Sequence, residues 1–225
     1  MIDIQQNLTD INQQIANINR NTPQTTQLLA VSKTKPASAV VAAYQAGQRK
    51  FGENYAQEGA DKVQQLADYA DIEWHFIGPI QSNKTKLIAE NFNWVQSLDR
   101  NKIAKRLSEQ RPKDMPNLNV CIQVNISNEA NKSGLAANQV IDFAEHLTQY
   151  SNLTLRGIMA IPLNTDDKAE LNKMFGQLHD LYQNLKNSYP AIDTLSMGMS
   201  NDMQTAIENG STMVRIGTAI FGART

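Results

Sequence analysis

Lys33 is the residue in this chain whose placement most directly permits covalent chemistry. The apolar run Leu28-Leu29-Ala30-Val31 with Ser32 reads as a short strand, and it delivers the lysine just before Pro36, a good helix start. A lysine at such a strand end can be partly desolvated, and a neutral amine forms imines with aldehydes. Far along the chain, Ser196-Met197-Gly198-Met199-Ser200-Asn201-Asp202 and Arg215-Ile216-Gly217-Thr218 are glycine-containing turns with hydroxyls, each following a short apolar strand. Turns of this kind cradle phosphate on backbone N–H groups. A lysine for an aldehyde and a cradle for a phosphate together point to pyridoxal phosphate.

The elements that must position these residues alternate regularly. Strands are predicted near 27–32, 49–52, 73–77, 93–97, 118–125, 153–159, 193–196 and 212–216, with helices at 36–46, 55–68, 81–90, 100–110, 137–149, 167–187 and 202–209. Gly47 and Gly210 fall just past helix ends. Eight strands with crossover helices make a single (β/α)8 TIM barrel, and 225 residues is about as short as that fold runs. A doubly wound open sheet is the alternative, although no Gly-x-Gly-x-x-Gly follows the first strand to support its dinucleotide-binding form. Ahead of the barrel, Ile4, Leu8, Ile11, Ile15 and Ile18 make residues 1–20 an extra amphipathic helix. Its polar face, Asn12, Gln13, Gln14, Asn17 and Asn19, offers few charges to specify a coiled coil, so the stripe is expected to pack on its own domain. Residues 1–225 are read as one domain.

Barrel enzymes keep their chemistry at the carboxyl ends of strands. Standing there are Lys33 after the first strand, Glu53 and Asn54 after the second, and His75 and Gly78 at the third. Ser97 and Asp99 follow at the fourth, Asn125 at the fifth, Met159 at the sixth, Ser200 after the seventh and Arg215 to Thr218 at the eighth. Phosphate sites in this fold come from the loops after strands seven and eight, where both glycine turns lie. Taken alone, Ser200, Asn201 or Asp202 would equally serve as an N-cap, and His75 as a packed core histidine. Lys84, Lys86 and Lys132 read as solvated charges, with anion contacts over the barrel mouth the alternative.

Composition narrows the partners. Acidic and basic residues number 22 and 21, so no basic field exists to draw nucleic acid and no polybasic helix to hold a membrane. Neither a signal peptide nor a bilayer-spanning stretch is visible, and a cytoplasmic monomer handling a small molecule is expected. Cys121, the single cysteine, sits in an apolar strand and reads as buried. His146 and His179 are remote from His75, and no metal site is predicted.

The motifs Ala30-Val31-Ser32-Lys33-Thr34-Lys35-Pro36, Phe51-Gly52-Glu53-Asn54-Tyr55, His75-Phe76-Ile77-Gly78, Gly157-Ile158-Met159-Ala160, Ser196 to Ser200 and Arg215 to Gly222 occur in one order over the whole length. In them the chain closely resembles the pyridoxal phosphate homeostasis proteins of the YggS/PROSC family. The resemblance implies a barrel like the N-terminal domain of alanine racemase, a Schiff base on Lys33, and a role in binding and supplying pyridoxal phosphate, with apoenzymes as recipients. It also implies cofactor-binding roles for Asn54 at the phenolic oxygen, Arg215 at the pyridine nitrogen, and Ser200, Gly217 and Thr218 at the phosphate, with His75 and Met159 completing the set. Two functions stay open: a carrier with no turnover reaction, and an amino-acid racemase or related enzyme with weak activity. The racemase needs a second acid/base group on the opposite face of the substrate carbon, which alanine racemases take from a C-terminal domain. The chain ends at Thr225, directly after the eighth strand, so the carrier is the expectation.

Overall fold

A computed structural model describes residues 2–127, 129, 132–163, 165 and 167–223. Eight parallel strands pair in chain order and close into a barrel: β1 (Gln27–Val31), β2 (Lys50–Glu53), β3 (Glu73–Phe76), β4 (Trp94–Leu98), β5 (Leu118–Val124), β6 (Leu153–Ala160), β7 (Thr194–Ser196) and β8 (Met213–Ile216). Closure comes from β8 pairing with β1, Gln27 opposite Met213 and Ala30 opposite Ile216. The helices between them are α2 (Ala37–Gln45), α3 (Ala56–Gln65), α4 (Thr85–Asn91), α5 (Asn101–Gln110), α6 (Val140–Leu147), α7 (Lys168–Ser188) and α8 (Met203–Glu208). This is the expected (β/α)8 barrel.

Two layers of burial hold it. Between strands and helices lies the main apolar core, with Phe51, Phe76, Phe92, Phe175, Leu98 and Ile122 fully buried; each such side chain contributes roughly 1.5–3 kcal/mol by leaving water. A smaller apolar cluster of Trp94, Cys121 and Met159 stands apart from it. Burial also pushes the Cys121 thiol pKa up, so this cysteine is a packing residue and not a nucleophile.

The extra N-terminal helix, α1 (Ile4–Asn19), begins at Asp3, whose side chain accepts from Gln6 N at 2.9 Å. It buries Leu8, Ile11 and Ile15 and packs against α2, α8 and a short terminal helix, α9 (Thr218–Phe221). Asn7 on its flank donates to Ile220 O at 2.9 Å, so the stripe is consumed within the chain, as expected. Gly47 and Gly210 have φ of 99° and 93°, the left-handed turn that ends a helix cheaply only with glycine. Two features lay beyond the sequence reading: α9 itself, and 3-10 turns at Ser82–Lys84 and Ala137–Gln139 that open what had been read as continuous helices. The expectations touching Asn128, Ala130 and Asn131 before Lys132, and Met1, Arg224 and Thr225 at the ends, lie outside the described residues.

Candidate functional site

Register alone brings the mouth together. Val31 pairs with Gly52, so Lys33 and Asn54, each two residues further on, stand level at the carboxyl ends of β1 and β2. Ala30 pairs with Ile216, which puts Gly217 and Thr218 beside the end of β1, and β7 with its Ser200 loop lies next to β8. Lys33, Asn54, Ser200, Gly217 and Thr218 therefore occupy one arc, β7-β8-β1-β2, of the rim.

The loop that carries Lys33 is fastened from behind. Thr34 is the one described non-glycine residue with positive φ, 62°, an uncommon conformation for a β-branched side chain. Its amide donates to Glu58 Oε1 at 2.6 Å. Lys62, buried on α3, donates to that same oxygen at 2.7 Å, to Glu53 Oε1 at 2.8 Å and to Ser32 O at 2.8 Å, while Ser32 Oγ donates to Glu53 at 2.6 Å. Burial lifts the Glu53 carboxyl above its usual range, against the pull of Lys62 and Ser32. Sequence reasoning placed Glu53 at the rim and missed Glu58 and Lys62; their i, i+4 spacing on the next helix was the available signal.

Asn54 is half-buried and its Oδ1 has no partner, an acceptor enclosed and left open. A side chain at Gly78 would drive a Cβ to 2.0 Å from Asn54 O, so glycine is what lets β3 leave the barrel here. On the phosphate side, Asp202 opens α8 without a side-chain cap bond; its Oδ1 instead accepts from Met199 N at 2.6 Å and folds the Ser200 turn. Ser200 and Thr218 are exposed, and Thr218 begins α9, whose first amides have no partner within the helix.

Arg215 lies deeper, 5% exposed, with Nη1 donating to Ser196 Oγ and Nη2 to Ala160 O, both at 2.8 Å. Ala160 ends β6, so the guanidinium sits at the level of the carboxyl ends. Burial pulls its pKa down to about 10, which leaves it protonated at neutral pH. Met159 and His75 are not on the rim: both are fully buried, Met159 in the cluster with Cys121 and Trp94. His75 contacts Glu73 Oε1 through Nε2 and Gln96 through Nδ1, each at 2.9 Å, with its ring stacked on Trp94. Gln96 and Ser196 were not singled out as a pair, since nothing local links residues 100 apart.

Other cations behave as surface groups. Lys86 is largely exposed beside Glu90 at 3.7 Å, and Lys132 pairs with Glu129 at 2.6 Å. At the opposite, amino end of the strands a cavity of about 540 Å³ is lined by Lys50, Glu73, Trp94, Arg156, Tyr182 and Lys186 among others. Among the described residues no cluster of His, Cys, Asp and Glu could hold a metal ion, and no helix is long and apolar enough to cross a membrane.

An amine, an enclosed acceptor, a guanidinium and a turn rich in amides and hydroxyls, converging on one arc, suit an aromatic aldehyde bearing a phosphate. Known proteins agree with the architecture. Residues 6–225 match the family model "Alanine racemase, N-terminal domain". The pyridoxal phosphate homeostasis protein of Vibrio alginolyticus is 57% identical over 230 aligned residues, covering 100% of this chain and 99% of that one. Its counterpart in Escherichia coli strain K12 is 50% identical over 229, covering 100% and 98%. Among solved structures, PipY of Synechococcus elongatus with PLP bound superposes with a TM-score of 0.85 at 33% identity, over 97% of this chain and 100% of that one. Alanine racemase of Corynebacterium glutamicum shares the fold at 18% identity, with a TM-score of 0.74, over 98% of this chain and 61% of its own. The chain belongs to the family of pyridoxal phosphate homeostasis proteins, built on the alanine racemase N-terminal barrel.

Proposed function

We propose that this chain binds pyridoxal phosphate through a Schiff base on Lys33 and works in the cytoplasm as a carrier that supplies it to apoenzymes, with no turnover reaction of its own. When bound, the cofactor supplies an aldehyde for imine exchange and, if its ring is protonated, an electron sink. The residues fit it. Asn54, whose carboxamide has an N–H donor beside the open Oδ1, suits the phenolic oxygen as a donor, and Ser200, Gly217 and Thr218 suit the phosphate. Names of the relatives, and PLP in the PipY structure, point the same way.

Arg215 carries the reading. A guanidinium can only donate, and at a pKa of about 10 it keeps its protons, so a pyridine nitrogen facing it stays unprotonated. That ring is a poor electron sink, which favours holding and releasing the cofactor over carbanion chemistry at an amino acid. A racemase would also need an acid/base group on the opposite face. Of the candidates, His75 has both ring nitrogens engaged and Tyr55 stands 52% exposed. The test is one preparation and two assays: loaded protein mixed with a PLP-dependent apoenzyme, and alanine incubated with loaded protein in deuterated water. The apoenzyme gains activity while the α-hydrogen of D- or L-alanine exchanges very slowly. Rapid exchange that Lys33→Ala abolishes would make the protein an enzyme.

A further inference from the structure

A single file of hydrogen bonds crosses the barrel from its amino end to Arg215. Lys50 Nζ donates to Glu73 Oε1 at 2.5 Å, and the same oxygen meets His75 Nε2 at 2.9 Å. His75 Nδ1 meets Gln96 Nε2 at 2.9 Å, Gln96 Oε1 accepts from Ser196 Oγ at 2.6 Å, and Ser196 Oγ accepts from Arg215 Nη1 at 2.8 Å. Gln96, Ser196 and His75 are fully buried, so water does not compete for these bonds.

The chemistry of its ends forces the direction of every link. A guanidinium only donates, so Ser196 accepts from Arg215 and must spend its one proton on Gln96. The Gln96 carbonyl then faces Ser196 and its amide faces His75, which must accept at Nδ1 and therefore carry its proton on Nε2, toward Glu73. Glu73, a carboxylate, only accepts. With Nη2 fixed on Ala160 O, two of the five N–H groups of Arg215 are committed and the plane of the guanidinium is set.

We propose that Gln96, His75 and Glu73 are positioning residues for Arg215, a polar strut that holds its guanidinium in one orientation beneath the mouth and links the amino end of the barrel to the ring of the bound ligand. None of the three needs to touch that ligand. This rests on the reading that Arg215 faces the pyridine nitrogen, and the strut extends it: remove a middle link, and Ser196 is free to turn and Arg215 loses its seat. Buried hydrogen bonds in series polarise one another, so the Glu73 carboxylate also acts as a remote counter-charge.

The test uses full-length protein loaded with pyridoxal phosphate carrying 15N in its ring, with the ring-nitrogen resonance and the dissociation constant as readouts. Gln96→Leu cuts the strut without touching Arg215; it moves the resonance from its wild-type position and weakens binding about fivefold or more, the weight of one fixed hydrogen bond. Ser196→Ala does the same and Ser196→Thr, which keeps the hydroxyl, restores both readouts. If Gln96→Leu folds poorly, Glu73→Gln shifts the resonance in the same sense by a smaller amount. Should these variants lower the melting temperature yet leave resonance and affinity unchanged, the file of bonds is packing only and the proposal falls. Arg215→Met separates the two claims: no movement of the resonance there sinks the reading of Arg215 itself, whereas movement there without movement in the Gln96, Ser196 and Glu73 variants sinks the strut alone.

Discussion

At the amino ends of the strands Lys50 pairs with Glu73 and Arg156 with Asp193, and Arg156 also lies over the Trp94 ring, around a cavity of about 540 Å³. At the carboxyl ends Arg215 rests on a hydroxyl and a carbonyl oxygen, and the neighbouring loops offer hydroxyls and helix-start amides. Charges that neutralise one another ask for no ligand. A cation seated on neutral groups keeps its charge available, and open amides add to the pull on an anion. The end whose charges pair around the cavity is thus the structural one, and the end where Arg215 sits on neutral groups beside hydroxyls and helix-start amides is the candidate site, as the barrel's general division of labour has it.

That contrast can be broken most severely at Lys33. Lys33→Ala removes the only proposed covalent contact, so the visible band of the imine disappears on adding pyridoxal phosphate; an undiminished band would move the site elsewhere. Next come the phosphate groups. Ser200→Ala and Thr218→Ala each weaken pyridoxal phosphate by about 0.5–3 kcal/mol in a titration, one hydrogen bond to a charged group, while pyridoxal without phosphate is nearly indifferent. Equal losses for both ligands would take these residues out of the phosphate site.

Acid tests the barrel interior. Burial lowers the His75 pKa below its ordinary 6.5 despite Glu73, so below that pH the unfolded chain binds a proton the native state refuses. Stability is therefore independent of His75 above about 6.5 and falls as pH drops through it, by at most about 1.4 kcal/mol per unit. For Glu73 burial opposes ionisation, but hydrogen bonds from His75 and Lys50 outweigh it and hold the carboxyl at about 2; its contribution, present above 4.5, is lost between 4.5 and 2. Melting temperatures of the apo protein from pH 8 to 5 should show the first slope, and His75→Gln should flatten it. The smallest effect belongs to the amino-end surface. Asp193, half exposed, pairs with Arg156 where water screens the charge, so Asp193→Asn costs no more than about 1 kcal/mol in denaturant unfolding and leaves pyridoxal phosphate affinity unchanged. A large loss of affinity there would erase the distinction between the two ends.

What was legible in the sequence was what repeats locally. Each strand is a short apolar run and each helix an amphipathic one, so all eight strands fall within a residue or two of their expected bounds, and Lys33, Asn54 and the two glycine turns follow from position at strand ends. α9 was missed because four residues are too few to show a period. The Lys62 cluster and the strut were missed for a different reason. Ser32 meets Lys62 across 30 residues, Gln96 meets Ser196 across 100, and polar side chains inside a barrel leave no periodic trace until closure brings them together. Nor does any local signal foretell the positive φ of Thr34, which the Glu58 carboxylate holds from another helix.

The central claim is that the carboxyl-end mouth, through Lys33, holds the cofactor. Borohydride reduction of the loaded protein, followed by peptide mapping, tests it directly: the account predicts the pyridoxyl group on the peptide containing Lys33, at that residue, which follows β1 at the mouth, and not at Lys35 two residues on. Label at Lys35, or at Lys50 or Lys186 around the amino-end cavity, with Lys33 unmodified, would contradict it.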